Sequence, residues 1–296
     1  MAEGRIKAES FSGKKPDWIK KQVKPGGHFV SGIIKDGSLN TVCSEASCPN
    51  KSECFSKGTA TFMILGDVCT RNCLFCGVKS GKPDNVNENE PEFVADAVAK
   101  MKLKYSVITS VTRDDLPDGG SSIFAKTVKA VREKAGCKIE VLTPDFNNHA
   151  EDIHKVIDSR PDVYNHNIET VKRLYNHIRP KAFYDGSLNL LKKVNENNII
   201  SKSGIMLGLG ETDEEIFRLL EDLLRAGCKI LTIGQYLRPD KNAVPVCEYV
   251  TPEHFDFLKD KALKMGFLGV ASGVFVRSSY NASKIFEEVT DRLNSK

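Results

Sequence analysis

Six of the nine cysteines crowd between residues 43 and 76, and that crowding limits what the chain can become. Cys43, Cys48 and Cys54 are spaced C-x4-C-x5-C; Cys69, Cys73 and Cys76 are spaced C-x3-C-x2-C. The opening residues, MAEGRIKAES, hold no apolar leader core, so a reducing, cytoplasmic setting is expected, in which thiols stay reduced. Clustered cysteines in such a setting serve as metal ligands or redox centres rather than as staples. A structural zinc ion takes four ligands, and the second triplet has no fourth Cys or His nearby in sequence. An iron–sulfur cube is held by cysteine thiolates, and three of them leave one iron open to a substrate or cofactor. On spacing alone, a zinc-binding module and an iron–sulfur protein both remain open. Cys137, Cys228 and Cys247 lie apart and read as small buried hydrophobes.

From about residue 60 onward, strand-like and helix-like segments alternate. Strands are expected at 61–65, 105–109, 139–143, 163–167, 204–209 and 230–235, each short and rich in β-branched or apolar residues, as buried parallel strands are. Helices are expected at 91–103, 121–135, 149–159, 187–197 and 213–226. The last of these carries Ile216, Leu219, Leu220, Leu223 and Leu224 on one face, opens with a Thr212/Glu215 capping box and closes at Gly227. Thr251-Pro252 starts another helix, and 283–293 forms a final one. Residues 1–30 read as an extended polar arm pinned by Trp18 and Ile19. This rhythm predicts parallel βα units, either a doubly wound sheet or an incomplete (β/α) barrel. Both architectures collect ligands at the C-terminal strand ends. Asp67, Ser110, Asp145, Asn167, Glu169, Glu211, Gln235 and Tyr236 sit just past those ends.

The formal net charge is +4. Residues 1–24 hold seven Lys/Arg against Glu3, Glu9 and Asp17, so the remainder is neutral in sum. A nucleic-acid binder spreads basic charge over its working face, and this chain does not. No apolar run is long enough to span a bilayer. Lys15, Lys20, Lys21 and Lys24 either steer an acidic partner or form a solvated basic arm.

The C-x3-C-x2-C loop directly after the first expected strand, with Phe75 before its third cysteine, resembles the radical S-adenosylmethionine (SAM) superfamily. The upstream triplet and Arg277-Ser278-Ser279-Tyr280 make the chain similar to the lipoyl synthase family within it. Lys15 to Lys20, Cys43 to Asn50, Thr109 to Gly120, Tyr164 to Thr170 and Ser203 to Glu211 match that family too.

The resemblance implies an incomplete (β/α) barrel of about six parallel βα units. Residues 1–60 would be an N-terminal arm and auxiliary-cluster segment, 61–270 the partial barrel, and 271–296 a C-terminal segment carrying a serine cluster ligand. Cys69, Cys73 and Cys76 would hold a [4Fe–4S] cluster whose open iron chelates SAM, and its reduction yields a 5′-deoxyadenosyl radical. Cys43, Cys48, Cys54 and Ser279 would hold an auxiliary [4Fe–4S] cluster that donates sulfur. The implied substrate is an octanoyl-lysine on a lipoyl carrier domain, in E2 subunits of 2-oxoacid dehydrogenases or the glycine cleavage H protein, thiolated at carbons six and eight. Unactivated C–H bonds carry no acidic proton, so a radical cofactor is needed there. The resemblance also implies an electron donor such as ferredoxin or flavodoxin, and iron–sulfur carrier proteins, with no nucleic-acid or membrane partner.

SAM contacts are implied position by position. Gly204-x-Met206-x-Gly208-x-x-Glu211 resembles the superfamily stretch that shapes the adenine side. Thr109 and Ser110 would grip the methionine amino group. Asn165, Asn167 and Glu169 would meet the ribose, the carboxylate or a substrate amide. Gln235 and Tyr236 would touch adenine, while Arg277 or Tyr280 orients Ser279. Thr112 stands where the family has Asp, and Ala243 and Asn281 stand where it has His. The alternative function is another two-cluster radical SAM enzyme, with a different sulfur insertion or hydrogen-atom transfer.

Overall fold

The computed structural model describes residues 5–7 and 15–295, and for 5–7 only the backbone. The described residues cluster into two compact units, one of residues 22–72 and 76–165, the other of 5–7, 15–21, 73–75 and 166–295.

In the first unit, strand Thr61–Ile64 lies parallel to Tyr105–Ser110, which pairs in parallel with Lys138–Leu142, and that strand with Val163–Asn165. All four Thr61–Ile64 side chains are buried, which is why this strand is apolar without alternation. Asn40–Thr41 runs antiparallel beside it, with Thr41 opposite Phe62. Helices Glu90–Lys100, Ser121–Ala135 and Ala150–Asp158 pack side by side, burying Val94, Val98, Phe124, Val128, Val131, Ile153 and Val156. Their expected positions hold to within three residues at each end.

The expected arm gives way to helix at His28–Asp36. Val30, Ile33 and Ile34 share one face there, and Val30 is fully buried. Two short helices follow, Val42–Glu45 and Lys51–Ser56.

In the second unit, Ile200–Leu207, Ile230–Gln235 and Gly269–Gly273 are parallel neighbours, with Ser203 opposite Leu231 and Leu231 opposite Val270. Gly269–Gly273 is a parallel strand beyond the six expected; its Gly-Val-Ala-Ser-Gly sequence lacks the β-branched run that marks the others. Arg5–Lys7 pairs antiparallel with Glu248–Val250. Helix Asp213–Arg225 shows both hydrogen bonds of the expected capping box, and its Ile216, Leu219, Leu220 and Leu223 enter one large core. Ile19 is buried in that core and Trp18 packs against it, as expected of the pins; residues 8–14 of the arm lie outside the described residues. The Thr251 side chain caps Pro252–Met265, and Ala282–Asn294 is the final helix. Among the described residues no helix is long and apolar enough to cross a membrane.

Candidate metal and cofactor centre

Strand Thr61–Ile64 leads into Leu65 at φ +70° and Gly66 at φ +93°. A leucine in the left-handed region is strained, so its surroundings must hold it there. The Leu65 amide donates to the Glu90 carboxylate at 2.7 Å, and Arg113 donates to the Leu65 carbonyl at 3.2 Å. Burial raises the pKa of Glu90, against the pull of the Leu65 and Gly66 amides and of Arg113.

The turn delivers Cys69. Its amide donates to Lys79 O at 2.8 Å, and its carbonyl accepts from Gly81 N at 2.9 Å. The Thr70 hydroxyl donates to Thr112 O and accepts from Asp114 N, each at 3.0 Å. Arg71 reaches Asp114 through two hydrogen bonds, Asp145 through two more, and Asn147 through one. Burial works against the Arg71 charge, but Asp114 and Asp145 override it and raise its pKa. Cys69 Sγ accepts from the amides of Arg71 and Thr112, both at 3.4 Å, and Cys76 Sγ from Val78 N at 3.5 Å. Such N–H···S bonds spread thiolate charge and tune iron–sulfur potentials. Residues 73–75 belong to the second unit: Leu74 N donates to Ile178 O at 3.0 Å, Val244 N donates to Leu74 O at 2.9 Å, and Phe75 packs against the Ile178, Leu209 and Tyr236 cluster.

The forward triplet lies on the two short helices and the turn between them. Cys48 N donates to Cys43 O at 3.2 Å, and Cys54 N to Asn50 O at 2.8 Å. Burial pushes the Cys43 thiol up to about 11, Thr61 pulls the other way, and Cys48 and Cys54 are near enough to raise it further. The three thiols therefore share one neighbourhood. In a cube each thiolate takes a different iron, so the sulfurs do not share one ion's shell; among the described residues no three His, Cys, Asp or Glu do.

The polar residues expected to hold SAM fall into two kinds. Ser110 Oγ and Asn165 Oδ1 in the first unit, and Asn167 Oδ1 in the second, are buried with no partner in the protein. Buried polar atoms are rarely left unpaired, so each of these fits a polar ligand. The others are already engaged. Thr109 Oγ1 donates to Leu142 O at 2.9 Å. Glu211 accepts from the amides of Gly208 at 2.6 Å and Leu209 at 2.9 Å. Gln235 Nε2 donates to the carbonyls of Leu207, Tyr236 and Glu248, while its Oε1 accepts from Val250 N. Tyr236 OH donates to Val244 O at 2.7 Å. These four side chains shape the strand ends through the backbone. Glu169, at φ +70°, runs beside Ile200–Leu207, its amide bonded to Gly204 O and its carbonyl to Met206 N. Burial raises the pKa of Glu169, while Arg179 and Asn167 lower it.

In the C-terminal segment, Ser278 Oγ accepts from Asn167 Nδ2 at 2.6 Å. Arg277 donates to Val276 O at 2.6 Å, and Lys21 lies over the rings of Phe275 and Tyr280 at 5.2 and 5.5 Å. Ser279 is half-buried beside Ser278. The departures from the family pattern find local reasons. Thr112 works through its main chain, which bonds Cys69 Sγ and Thr70. Ala243 is buried, with its carbonyl accepting from Arg238. Asn281 stands at φ +52°, a conformation asparagine tolerates.

Cys137 and Cys228 are buried, as expected; Cys247 is exposed, contrary to that reading, and it precedes the short strand Glu248–Val250, which lies outside the parallel sheet. Sequence reasoning assigned no role to Arg71, Glu90, Arg113 or Arg179. The signal for the first lay in plain view: Arg71 falls between two of the cysteines, and Asp114 and Asp145 both follow strands.

Parallel βα units with a C-x3-C-x2-C loop on the first strand's C-terminal end define a radical SAM protein, and residues 63–223 match the radical SAM superfamily. A solved maturase of the [FeFe]-hydrogenase shares the fold, with TM-score 0.56 and 16% identity over 70% of this chain and 50% of that one. The architecture is accordingly the incomplete α/β barrel, not the doubly wound sheet. The chain belongs to the lipoyl synthase family: it is 55% identical over 284 residues to the lipoyl synthase of Caldicellulosiruptor bescii, covering 93% of this chain and 98% of that one. It is 52% identical over 272 residues to that of Caldanaerobacter subterraneus, covering 91% and 96%. SAM and two [4Fe–4S] clusters are the family's cofactors.

Proposed function

We propose that this chain is a radical SAM sulfurtransferase that inserts two sulfur atoms, at carbons six and eight, into an octanoyl-lysine on a lipoyl carrier domain. The observation that carries the reading is the pair of cysteine triplets, one on a strained post-strand loop with amides aimed at its sulfurs, the other with a buried thiol beside two more. When bound, the cofactors supply a 5′-deoxyadenosyl radical for hydrogen abstraction and sulfide for insertion.

The protein's own part is to bind, orient and exclude. Cys69, Cys73 and Cys76 hold the SAM cluster; Cys43, Cys48, Cys54 and Ser279 hold the auxiliary one. Arg71, Glu90 and Arg113 fix the loop so that Cys69 needs little rearrangement to take iron. Ser110, Asn165 and Asn167 offer their unpaired oxygens to SAM donors, and Gly204 leaves room beside Asn167. Thr109, Gly208, Glu211, Gln235 and Tyr236 set the shape of that wall. E2 and H-protein carrier domains are the partners in this reading, with ferredoxin or flavodoxin as reductant and iron–sulfur carriers for rebuilding the auxiliary cluster, all in the cytoplasm. Residues 1–60 and 271–296 supply the auxiliary ligands, and 61–270 the barrel.

Anaerobic reconstitution with SAM, dithionite and an octanoyl-lysyl peptide tests this. Wild-type protein should carry about eight irons and give 5′-deoxyadenosine and a dithiolane product. Cys43→Ala should keep about four irons and SAM cleavage but lose sulfur insertion. Deoxyadenosine from the wild type without thiolated product would instead favour a different two-cluster radical SAM reaction. A colourless zinc-loaded protein would remove both.

A further inference from the structure

Asn167 follows the strand Val163–Asn165 in a run, 166–169, that lies along Ile200–Leu207: His166 N donates to Lys202 O, and Glu169 N to Gly204 O. The run is held rigidly. Arg179 donates to Asn167 O at 3.0 Å and to Tyr175 OH at 2.7 Å, and its guanidinium lies over the Tyr175 ring. A Cβ on Gly204 would fall 2.8 Å from Asn167 Oδ1, so the glycine is what lets the amide lie against the strand. The orientation of that amide follows from its neighbours. The Asn167 side chain lies close enough to Glu169 to pull its pKa down against burial, as an amide nitrogen turned toward the carboxylate does. The same nitrogen then donates to Ser278 Oγ at 2.6 Å. This is a bond across 111 residues, made to the neighbour of the serine read as the auxiliary-cluster ligand.

We propose that Asn167 is a positioning residue for the auxiliary cluster, tying Ser278 so that Ser279 presents its oxygen to iron. The inference rests on the reading of Ser279 as that ligand. A serine oxygen is a hard donor on a loop with no regular secondary structure. Other contacts already fix this loop, among them Val276 O against Gly234, Arg277 bonded to Val276 O, Tyr280 N to Arg277 O and Ala282 N to Ser279 O. The Asn167 bond adds a side-chain tether on the residue next to the ligand, and it comes from the run expected to meet SAM.

The test uses the full chain carrying Cys69, Cys73 and Cys76→Ala, so that only the auxiliary cluster remains. After anaerobic reconstitution and mild ferricyanide oxidation, loss of the serine-held iron appears as a three-iron EPR signal. Asn167→Ala and Ser278→Ala should each raise the three-iron fraction about threefold over the parent, the double variant no further, and Ser278→Thr, which keeps the hydroxyl, should restore the parent level. Ser279→Ala serves as the reference for complete loss of the ligand. If Ser279→Ala raises the signal while Asn167→Ala and Ser278→Ala do not, or if those two effects add, the tether is refuted. If Ser279→Ala leaves the signal unchanged, the ligand reading itself is wrong and the inference falls with it. Unchanged SAM-cluster iron for Asn167→Ala in a Cys43, Cys48 and Cys54→Ala chain separates the local effect from misfolding.

Discussion

Arg71 and Asp145 form a two-pronged ion pair, Nη1 to Oδ2 at 2.9 Å and Nη2 to Oδ1 at 2.7 Å, with side chains only 4% and 1% exposed. Arg71 lies inside the cysteine loop, and Asp145 on the turn after Lys138–Leu142, so the pair ties the loop to the end of a strand two positions away in the sheet. Arg71→Ala would leave the buried Asp145 carboxylate without its cation, a loss of about 3–5 kcal/mol. Arg71→Lys keeps the charge but cannot span two forks and should cost about 1–3 kcal/mol. Denaturant unfolding of the apoprotein reads both values. After reconstitution Arg71→Ala should hold about four irons rather than about eight, the missing set being the SAM cluster.

Glu90 gives a pH signature. Burial raises its pKa above the usual carboxylate value, so the folded chain binds its proton more tightly than the unfolded one. Its contribution to stability is fully present below the ordinary glutamate pKa and is lost as pH rises through the elevated folded value. In Glu90→Gln that slope vanishes. The amide also has one acceptor oxygen for two backbone donors, so the variant should be about 1–3 kcal/mol less stable in acid, with the gap to wild type narrowing toward neutral pH. Urea midpoints across that range check the sign; a gap that widens with pH would contradict it.

Much of this architecture was legible. Ile230–Gln235 matches its expected bounds, and the Thr212/Glu215 box is present because both halves of the signal are local. What stayed hidden depends on partners distant in sequence. Gly269–Gly273 is a strand because Ile230–Gln235 offers it a parallel ladder, not because its own residues favour extension. Helix Lys172–Ile178 is only seven residues long and uncapped, too short for periodicity to declare it. At the site, the two cysteine triplets stood out by their spacing, whereas the division of Thr109, Glu211, Gln235 and Tyr236 from Ser110, Asn165 and Asn167 did not. Residue type says what a side chain can bond, and only the fold says whether backbone has already claimed it.

Gly204 and Gly208 should respond differently to alanine. At Gly208 φ is +100°, and a Cβ would fall 2.4 Å from the Glu248 carbonyl and 2.3 Å from Gln235 Nε2. Strain and a backbone clash act together there, and Gly208→Ala should lose about 3 kcal/mol or more. Gly204 has ordinary φ, and its neighbours are side-chain oxygens, Thr232 Oγ1 at 2.5 Å and Asn167 Oδ1 at 2.8 Å, which can turn aside. Gly204→Ala should cost about 1–3 kcal/mol. Because the displaced group is Asn167, SAM affinity should fall about tenfold, measurable by equilibrium binding to the reconstituted protein.

The basic residues near the N-terminus divide by what each already does. Lys21 is spent on the rings of Phe275 and Tyr280, which takes it out of the set that could steer a partner. Lys20 bonds Asp17, but both side chains are largely exposed, and such a pair is weak and readily exchanged. Lys15 and Lys24 are exposed. If these cations guide an acidic carrier domain, neutralising Lys15, Lys20 and Lys24 together should raise KM for the carrier about three- to tenfold at low salt. At about 0.5 M salt, where screening shortens the reach of each charge to a few ångströms, the change should be under about twofold. The kcat should stay constant in both, since none of the three is read as touching the reacting groups. Lys21→Ala should behave oppositely, lowering turnover through the loop that carries Ser279 with no dependence on salt. Equal KM for the triple variant and wild type at low salt would leave these lysines as a solvated arm and move carrier recognition elsewhere on the surface.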